Sequence, residues 1–191
     1  MKKMSISILI ALLSAALLAP PAFADTPLPN GGGGGKNIVM AMNQVSGRLA
    51  VRASLQVNRI PGPNVQPVNF ASATSSCTDC QTLVVALQLD VASTSAPLIV
   101  PQNAASAKNI GCLRCVTVAR AVQYLFTVDD PLATTPQLDP LLRELDRTLT
   151  EIQSDPTLTL DQAEARLDAA IASFQDIAPT YANARDALTT P

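Results

Sequence analysis

The chain contains an internal duplication built around two Cys-x-x-Cys pairs. The first copy spans 65–88 and the second spans 99–123. Pro, Asn and two Ala recur at an offset of 34 residues, and both Cys, Thr, Ala and Gln recur at an offset of 35, which makes nine identities. Repeat arrays usually need about three or more units to bury a continuous core. Two copies therefore predict a pseudo-twofold domain built from two halves.

Both copies carry the period-two pattern of β-strands, with one large apolar face and one small or polar face. The large face comprises Leu83, Val85, Leu87, Leu89 and Val91 in the first copy and Val118, Val122, Tyr124 and Phe126 in the second. A similar alternation over 49–58 follows 37–44 across Val45-Ser46-Gly47, which predicts a β-hairpin. One-sided strands pack well as two layers. We predict an antiparallel, sandwich-like β domain over 37–130.

Beyond this domain the apolar period becomes helical. The first stripe consists of Leu138, Leu141, Leu142, Leu145, Leu149 and Ile152, with Asp139-Pro140 as the predicted N-cap and first residue. The second consists of Ala163, Leu167, Ala170, Ile171, Phe174 and Ile177, opened by a capping box from Thr159 to Gln162 and ended by Pro179. The predicted fold class is α+β, with the β domain followed by a helical hairpin over 137–178 and a tail over 179–191.

Charge divides the chain at the same boundary. Residues 25–128 hold seven basic and three acidic side chains, a net of +4, whereas residues 129–191 hold twelve acidic and four basic, a net of −8. Short helices gain most of their stability from tertiary packing, so we expect both stripes to dock on the β domain or on a partner. The overall charge of −2 excludes a simple basic nucleic-acid binder.

The N-terminus has the pattern of a secretory signal peptide. Two lysines precede an apolar run from Met4 to Ala19, and a small-x-small site predicts cleavage after Ala24. The run has 16 residues, fewer than the roughly 20 that span a bilayer. We therefore expect a signal peptide over 1–24, a Pro/Gly-rich linker over 25–36, and a secreted mature chain without a membrane span.

The chain has no histidine, which limits the chemistry that it can perform. Ser-His-Asp and Cys-His catalysis and imidazole-bound metals are excluded. Within the two copies the only carboxylates are Asp79 and Asp90, and they do not have the arrangement of a paired-carboxylate hydrolase. We predict that the chain is not an enzyme and carries no cofactor.

The four cysteines, Cys77, Cys80, Cys112 and Cys115, allow three interpretations. Export to an oxidising compartment favours two disulfides, and the repeat symmetry favours pairing within each Cys-x-x-Cys, although pairing across the copies is also open. Two such pairs can instead bind structural zinc. Redox catalysis requires a pair at a helix N-terminus, whereas strand-like alternation follows each pair here.

Three further polar residues recur in both copies: Asn69 and Asn103, Thr82 and Thr117, and Gln88 and Gln123. They could line a binding surface. Side chains of these types more often satisfy backbone groups in turns and between sheet layers. We predict a structural role for all six, with a surface role as the alternative.

The doubled Asn-x-Ala-x-Ala and Cys-x-x-Cys-x-Thr motif, over roughly 37–178, resembles a cysteine-paired extracytoplasmic repeat domain. That domain ends many bacterial proteins labelled peptide zinc metalloproteases, and free-standing secreted relatives exist. The resemblance implies an extracytoplasmic, cysteine-clasped module without an established activity. The protease label belongs to a membrane-embedded HExxH portion, and this sequence has no histidine to supply its ligands.

Taken with the signal peptide, these features predict a secreted, non-catalytic envelope or extracellular structural or interaction module with an unknown protein or envelope partner. The alternative is an exported thiol–disulfide or zinc-binding protein that uses the two cysteine pairs.

Overall fold

A computed structural model of the chain describes residues 33–133, 136 and 138–189, with side chains described as far as Ile177. The predicted signal peptide and most of the predicted linker lie outside these residues. The strands are β1 (Lys36–Asn43), β2 (Leu49–Ile60), β3 (Asn64–Val65), β4 (Val68–Ser75), β5 (Gln81–Ser93), β6 (Leu98–Ile99), β7 (Gln102–Asn109) and β8 (Val116–Val128). Two helices follow, α1 (Asp139–Ser154) and α2 (Leu160–Thr189).

The strands form three parallel sheets in which each strand pairs with its counterpart one repeat later. The front sheet has the order β1-β4-β7, the central sheet β2-β5-β8, and the side sheet β3-β6. Lys36 pairs with Val68 and Val68 with Gln102 in the front sheet, all in parallel. The chain therefore winds as a parallel β-solenoid of three tiers: tier 1 (36–65), tier 2 (68–99) and tier 3 (102–128).

The α+β class is confirmed, but the predicted antiparallel arrangement is wrong. β1 and β2 do not form a hairpin, because they belong to different sheets. The glycine between them, Gly47, has φ 71°, and its N–H donates to the carbonyl of Thr78 in the next tier at 3.0 Å. The predicted period-two pattern is present in the strands, but this pattern is the same in parallel and antiparallel strands.

Tier 1 is a third copy of the repeat, which the sequence pattern did not predict. It keeps Asn37, Ala41 and Gln56 in register with the Asn, Ala and Gln of tiers 2 and 3. It has no cysteine, since its turn reads Gln44-Val-Ser-Gly-Arg48. With three copies in register, the repeat stacks as a solenoid rather than as two halves about a pseudo-twofold axis.

The central sheet separates two unlike layers. Its outer face carries Leu83, Leu87 and Leu89, which join one core cluster with both helices. Its inner face carries Val84 and Ala86, which pack on Val39 and on the small side chains of the front sheet. Because both faces of the central strand are covered, β5 is buried from Thr82 to Ser93.

Both helices dock on the outer face of the central sheet, as predicted from their stripes. The buried residues are Leu138, at the start of α1, and in the two helices Leu142, Leu145, Leu149, Ile152, Ala163, Leu167, Ala170, Phe174 and Ile177. The capping box of α2 is confirmed: the backbone N–H of Gln162 donates to the hydroxyl of Thr159 at 3.3 Å, and Thr159 N–H donates to Oε1 of Gln162 at 3.0 Å.

Two details of the helix ends differ from the sequence prediction. Asp139 is the first residue of α1 rather than its N-cap, which is Leu138. Its carboxylate lies 3.9 Å from the guanidinium of Arg59 instead of capping the helix. The backbone of α2 continues through Pro179 to Thr189, so the proline does not end the helix.

The last glycines of the predicted linker lie against the solenoid. Gly33 forms a parallel bridge with Val65, and its carbonyl accepts from the N–H of Gln66 at 3.1 Å. A Cβ on Gly34 would come within 2.7 Å of the Gln66 carbonyl carbon, closer than such atoms approach. This close backbone approach explains why glycines occupy this stretch.

Candidate functional site

The repeated asparagines form a ladder between the front and central sheets. Nδ2 of Asn37 donates to Oδ1 of Asn69 at 3.0 Å, and Nδ2 of Asn69 donates to Oδ1 of Asn103 at 3.0 Å. Each also donates to a backbone carbonyl of the central sheet, such as Asn69 to Ala86 at 3.0 Å. Asn69 is fully buried. The ladder joins three tiers and two sheets.

The repeated threonines and glutamines lie in two similar ladders. The hydroxyls of Thr82 and Thr117 each hydrogen-bond to the hydroxyl of Ser75 at 2.7 Å. Nε2 of Gln123 donates to Oε1 of Gln88 at 3.3 Å, and Nε2 of Gln88 donates to the Gly35 carbonyl at 3.0 Å. The structure therefore brings all six predicted polar residues into the layer between the sheets.

Asp90 adds a buried carboxylate to this layer, and sequence reasoning did not single it out as part of a site. Oδ1 accepts from Nδ2 of Asn58 at 2.6 Å, and Oδ2 accepts from Nε2 of Gln123 at 2.9 Å. Burial raises the pKa of Asp90 above its usual value, although the hydrogen bonds from Asn58 and Gln123 act in the opposite direction. Its pairing with Asn58 could be predicted only from an alignment of the tier 1 sequence with the sequences of the other two tiers.

The two cysteine pairs stack on each other at the turn that leads from the front sheet to the central sheet. The structure joins Cys77 to Cys80, with Cα atoms 5.7 Å apart, and Cys112 to Cys115, with Cα atoms 6.0 Å apart. The N–H of Asp79 donates to the Leu113 carbonyl at 2.8 Å, which holds the two turns together.

Each of the three tiers has one residue with positive φ at the same point of this turn. These residues are Gly47 in tier 1, Asp79 in tier 2 (φ 56°) and Arg114 in tier 3 (φ 55°). The guanidinium of Arg114 donates to both carboxylate oxygens of Asp79 at 2.6 Å. This contact lowers the pKa of Asp79. The side chains thus bridge tiers 2 and 3 beside the disulfides.

The four sulfur atoms form one compact cluster. The Sγ atoms of Cys80, Cys112 and Cys115 lie within 4.8 Å of one another, and Cys77 is bonded to Cys80. Cys80 is fully buried, and the other three are partly accessible. Among the described residues, this is the one group of cysteine and carboxylate side chains with the spacing of a metal site. Thiolates in this arrangement would bind a soft or borderline cation such as Zn²⁺ once reduced.

Concave surfaces of the described residues also lie away from the repeated polar residues, and two of them are large. A cleft of about 480 Å³ at the tier 1 end is lined by residues that include Met40, Arg48 and Arg52. A groove of about 550 Å³ between α1 and α2 is lined by residues that include Leu141 and Ile177. Neither contains the repeated polar residues or the cysteines.

Comparison of the chain with protein-family models, with curated proteins and with solved structures gives no match. Within the described part of the chain, no helix is long and apolar enough to cross a membrane. The two closely spaced cysteine pairs are compatible with an extracytoplasmic location.

Proposed function

We propose that the chain is a secreted, non-catalytic structural or interaction module of the cell envelope or extracellular space, stabilised by disulfides. The placement of the repeated polar residues carries this proposal. All six are engaged in ladders between the sheets, where they satisfy one another and the backbone. Side chains held in this way specify the stacking of tiers. The outer surfaces are then left to contact other molecules.

The outer face of β1 supplies such a surface. Ile38, Met40 and Met42 alternate on this face with exposed fractions of 52%, 63% and 66%. Phe70 lies beside Ile38 in the next strand. Adjacent exposed apolar side chains are typical of interaction surfaces. The resemblance to an extracytoplasmic repeat domain supports the same role and brings no activity with it.

Co-sedimentation with purified bacterial cell envelopes tests this proposal. We expect the chain from Asp25 onward to co-sediment, and the double variant Met40→Glu/Met42→Glu to lose binding. Leu141→Glu is the matched control, because Leu141 is also exposed but lies on α1. Turnover of ester, peptide, glycoside or disulfide substrates by the purified chain would overturn the non-catalytic assignment.

A second candidate function rests on the sulfur cluster. Three Sγ atoms within 4.8 Å of one another would allow an exported thiol–disulfide or zinc-binding role. Intact mass separates the possibilities, since two disulfides lower the mass by about 4 Da relative to four thiols. Native mass spectra would report bound zinc. A mass two disulfides below the thiol form, without zinc and without insulin-reducing activity, would exclude this candidate.

A further inference from the structure

The two ends of the solenoid are not equivalent. In the front sheet, Asn37, Val39 and Asn43 face the inner layer in tier 1 and are buried, and Ala41 between them is partly buried. Their counterparts in tier 3 are exposed: Asn103, Ala105, Ala107 and Asn109. The inner layer is therefore open to solvent at the tier 3 end. Solenoids require their terminal units to be capped, because an open end exposes a surface made for stacking.

The open end presents a large and regular edge. β7 and β8 have 8 and 13 residues, and each has one strand neighbour in its sheet. Together they approach the roughly 20–30 residues per side of a stable protein interface. Exposed apolar side chains lie in the turn between them and at the start of β8, namely Ile110, Leu113 and Val116. A long edge with an apolar border is a template for pairing with another strand.

The opposite end carries an inward-facing charge on its edge strand. Arg52 pairs in register with Val84, and Val84 with Ala119. Val84 belongs to the inner cluster, so Arg52 stands on the inner face of its edge strand, where it is exposed. Tier 3 has alanine at this position. An inward-pointing charge on an edge strand is a known protection against edge-to-edge association.

We infer that the tier 3 end pairs with the tier 3 end of a second copy of this chain. A two-fold axis perpendicular to the front and central sheets brings β7 and β8 antiparallel to their own copies, and such an interface is closed. Head-to-tail stacking would instead place Arg52 of one copy between the sheets against the small residues of tier 3. A buried, unpaired guanidinium is strongly unfavourable. The pairing also separates the two copies of Lys108, which lies near the C-terminal end of β7.

This inference rests on the proposed interaction role, for which it names a partner. Native mass spectrometry and sedimentation of the chain from Asp25 onward, at about 1 to 100 μM, should show a dimer and no larger oligomer. Ala119→Arg transplants the tier 1 charge to the open end, and Ala105→Lys adds a charge on an exposed inward position of β7. Each should raise the dissociation constant about a hundredfold. Leu141→Lys, which adds the same charge at an exposed position of α1, should leave it unchanged.

Two further measurements guard against trivial loss of folding. Hydrogen exchange on the wild-type chain should show amides of β7 and β8 becoming protected as concentration rises, without any substitution. Arg52→Val should permit pairing at the tier 1 end and produce species larger than a dimer. Three results would overturn the inference. The wild-type chain could be monomeric at about 100 μM, it could form head-to-tail oligomers, or its dimer could have the same dissociation constant in both inward-charge variants. A monomer that still binds envelopes would leave the module role intact, whereas substrate turnover by a dimer would remove only that role.

Discussion

The two faces of the central sheet carry different types of side chain and contribute differently to the fold. The outer face is covered by α1 and α2 through Leu, Val and aromatic side chains, as in the contact of Tyr124 with Phe174 at 5.3 Å between ring centroids. The inner face has Ala, Thr and Gln, with hydrogen-bonded ladders to the front sheet. Apolar burial stabilises without fixing direction, whereas a ladder is satisfied in one register only. The outer face therefore supplies most of the stability, and the inner face specifies the stacking of tiers.

Removal of both helices should have the largest effect on this division. Truncation after Asp130 would expose the outer face of β5, where the exposed fractions of Leu83, Leu87 and Leu89 are at most 1%. We expect the remaining β domain to aggregate or to lose its cooperative thermal transition, measured by circular dichroism. A truncated domain that keeps the melting temperature of the full chain would show that the outer face contributes little.

A single cavity in the outer layer should have the next largest effect. Phe174→Ala removes a fully buried ring, and we expect the free energy of unfolding to fall by about 3–5 kcal/mol. Leu141→Ala, at an exposed position of α1, is the control and should change stability by less than about 0.5 kcal/mol. Denaturant titration measures both. Equal effects at the two positions would contradict the assigned packing.

Substitution of an asparagine in the inner ladder should lower the free energy of unfolding by less, and the size of the loss should depend on the tier. Asn69→Ala removes the hydrogen bonds that Asn69 makes with Asn37, Asn103 and two backbone carbonyls, so we expect the free energy of unfolding to fall by about 2–3 kcal/mol. Asn103→Ala ends the ladder at its exposed tier and should cost about 1 kcal/mol. The same titration compares the two. A larger loss at Asn103 would contradict the order of burial in the ladder.

The smallest expected effect is a pH dependence of stability that comes from Asp90 in the inner layer. Burial raises the pKa of Asp90 in the folded chain. The folded state then takes up a proton at a higher pH than the unfolded state, so the contribution of Asp90 to stability rises as pH falls from 7 through the folded pKa.

Other carboxylates act in the opposite direction at lower pH. Hydrogen bonds lower the pKa values of Asp79, Glu144 and Asp155, so their contributions to stability are lost as pH falls through their usual pKa values towards the lowered ones. Unfolding free energies measured as pH falls from 7 to 5, above the usual pKa values of these carboxylates, should therefore rise in the wild type. Asp90→Asn should abolish that rise, and an unchanged slope in this variant would assign it to another group.

Several elements could be predicted because their signals are local. The alternation in β5 and β8, the helical stripes and the Thr159–Gln162 capping box depend on residues close in sequence. Tier 1 was missed for a different reason. It shares asparagine, alanine and glutamine with the other tiers, but it lacks the cysteines that made the repeat visible. Its turn uses Gly47 where the other tiers use Asp79 and Arg114, three residue types that share only a positive φ.

The candidate site shows the same limit. The sequence singled out Asn69, Gln88 and Gln123 as repeated polar residues, and predicted a structural role for them. It did not identify Asp90 and Asn58 as a pair, because their contact spans 32 residues between two tiers. The nearness of Cys80 to the other pair also depends on stacking, since spacing within each pair says nothing about the distance between them.

By itself, the sequence determined which residues alternate along each strand, which residues form the apolar stripes of two helices, and which cysteines occur in close pairs. Tertiary structure decided that equivalent strands stack in parallel and in register, which end of the solenoid is open, and which polar groups meet in the inner layer. The physical reason is that periodicity records which face of an element is buried, and burial is indifferent to strand direction. Direction and register are set by contacts between whole tiers, where each asparagine finds its copy 32 to 34 residues away.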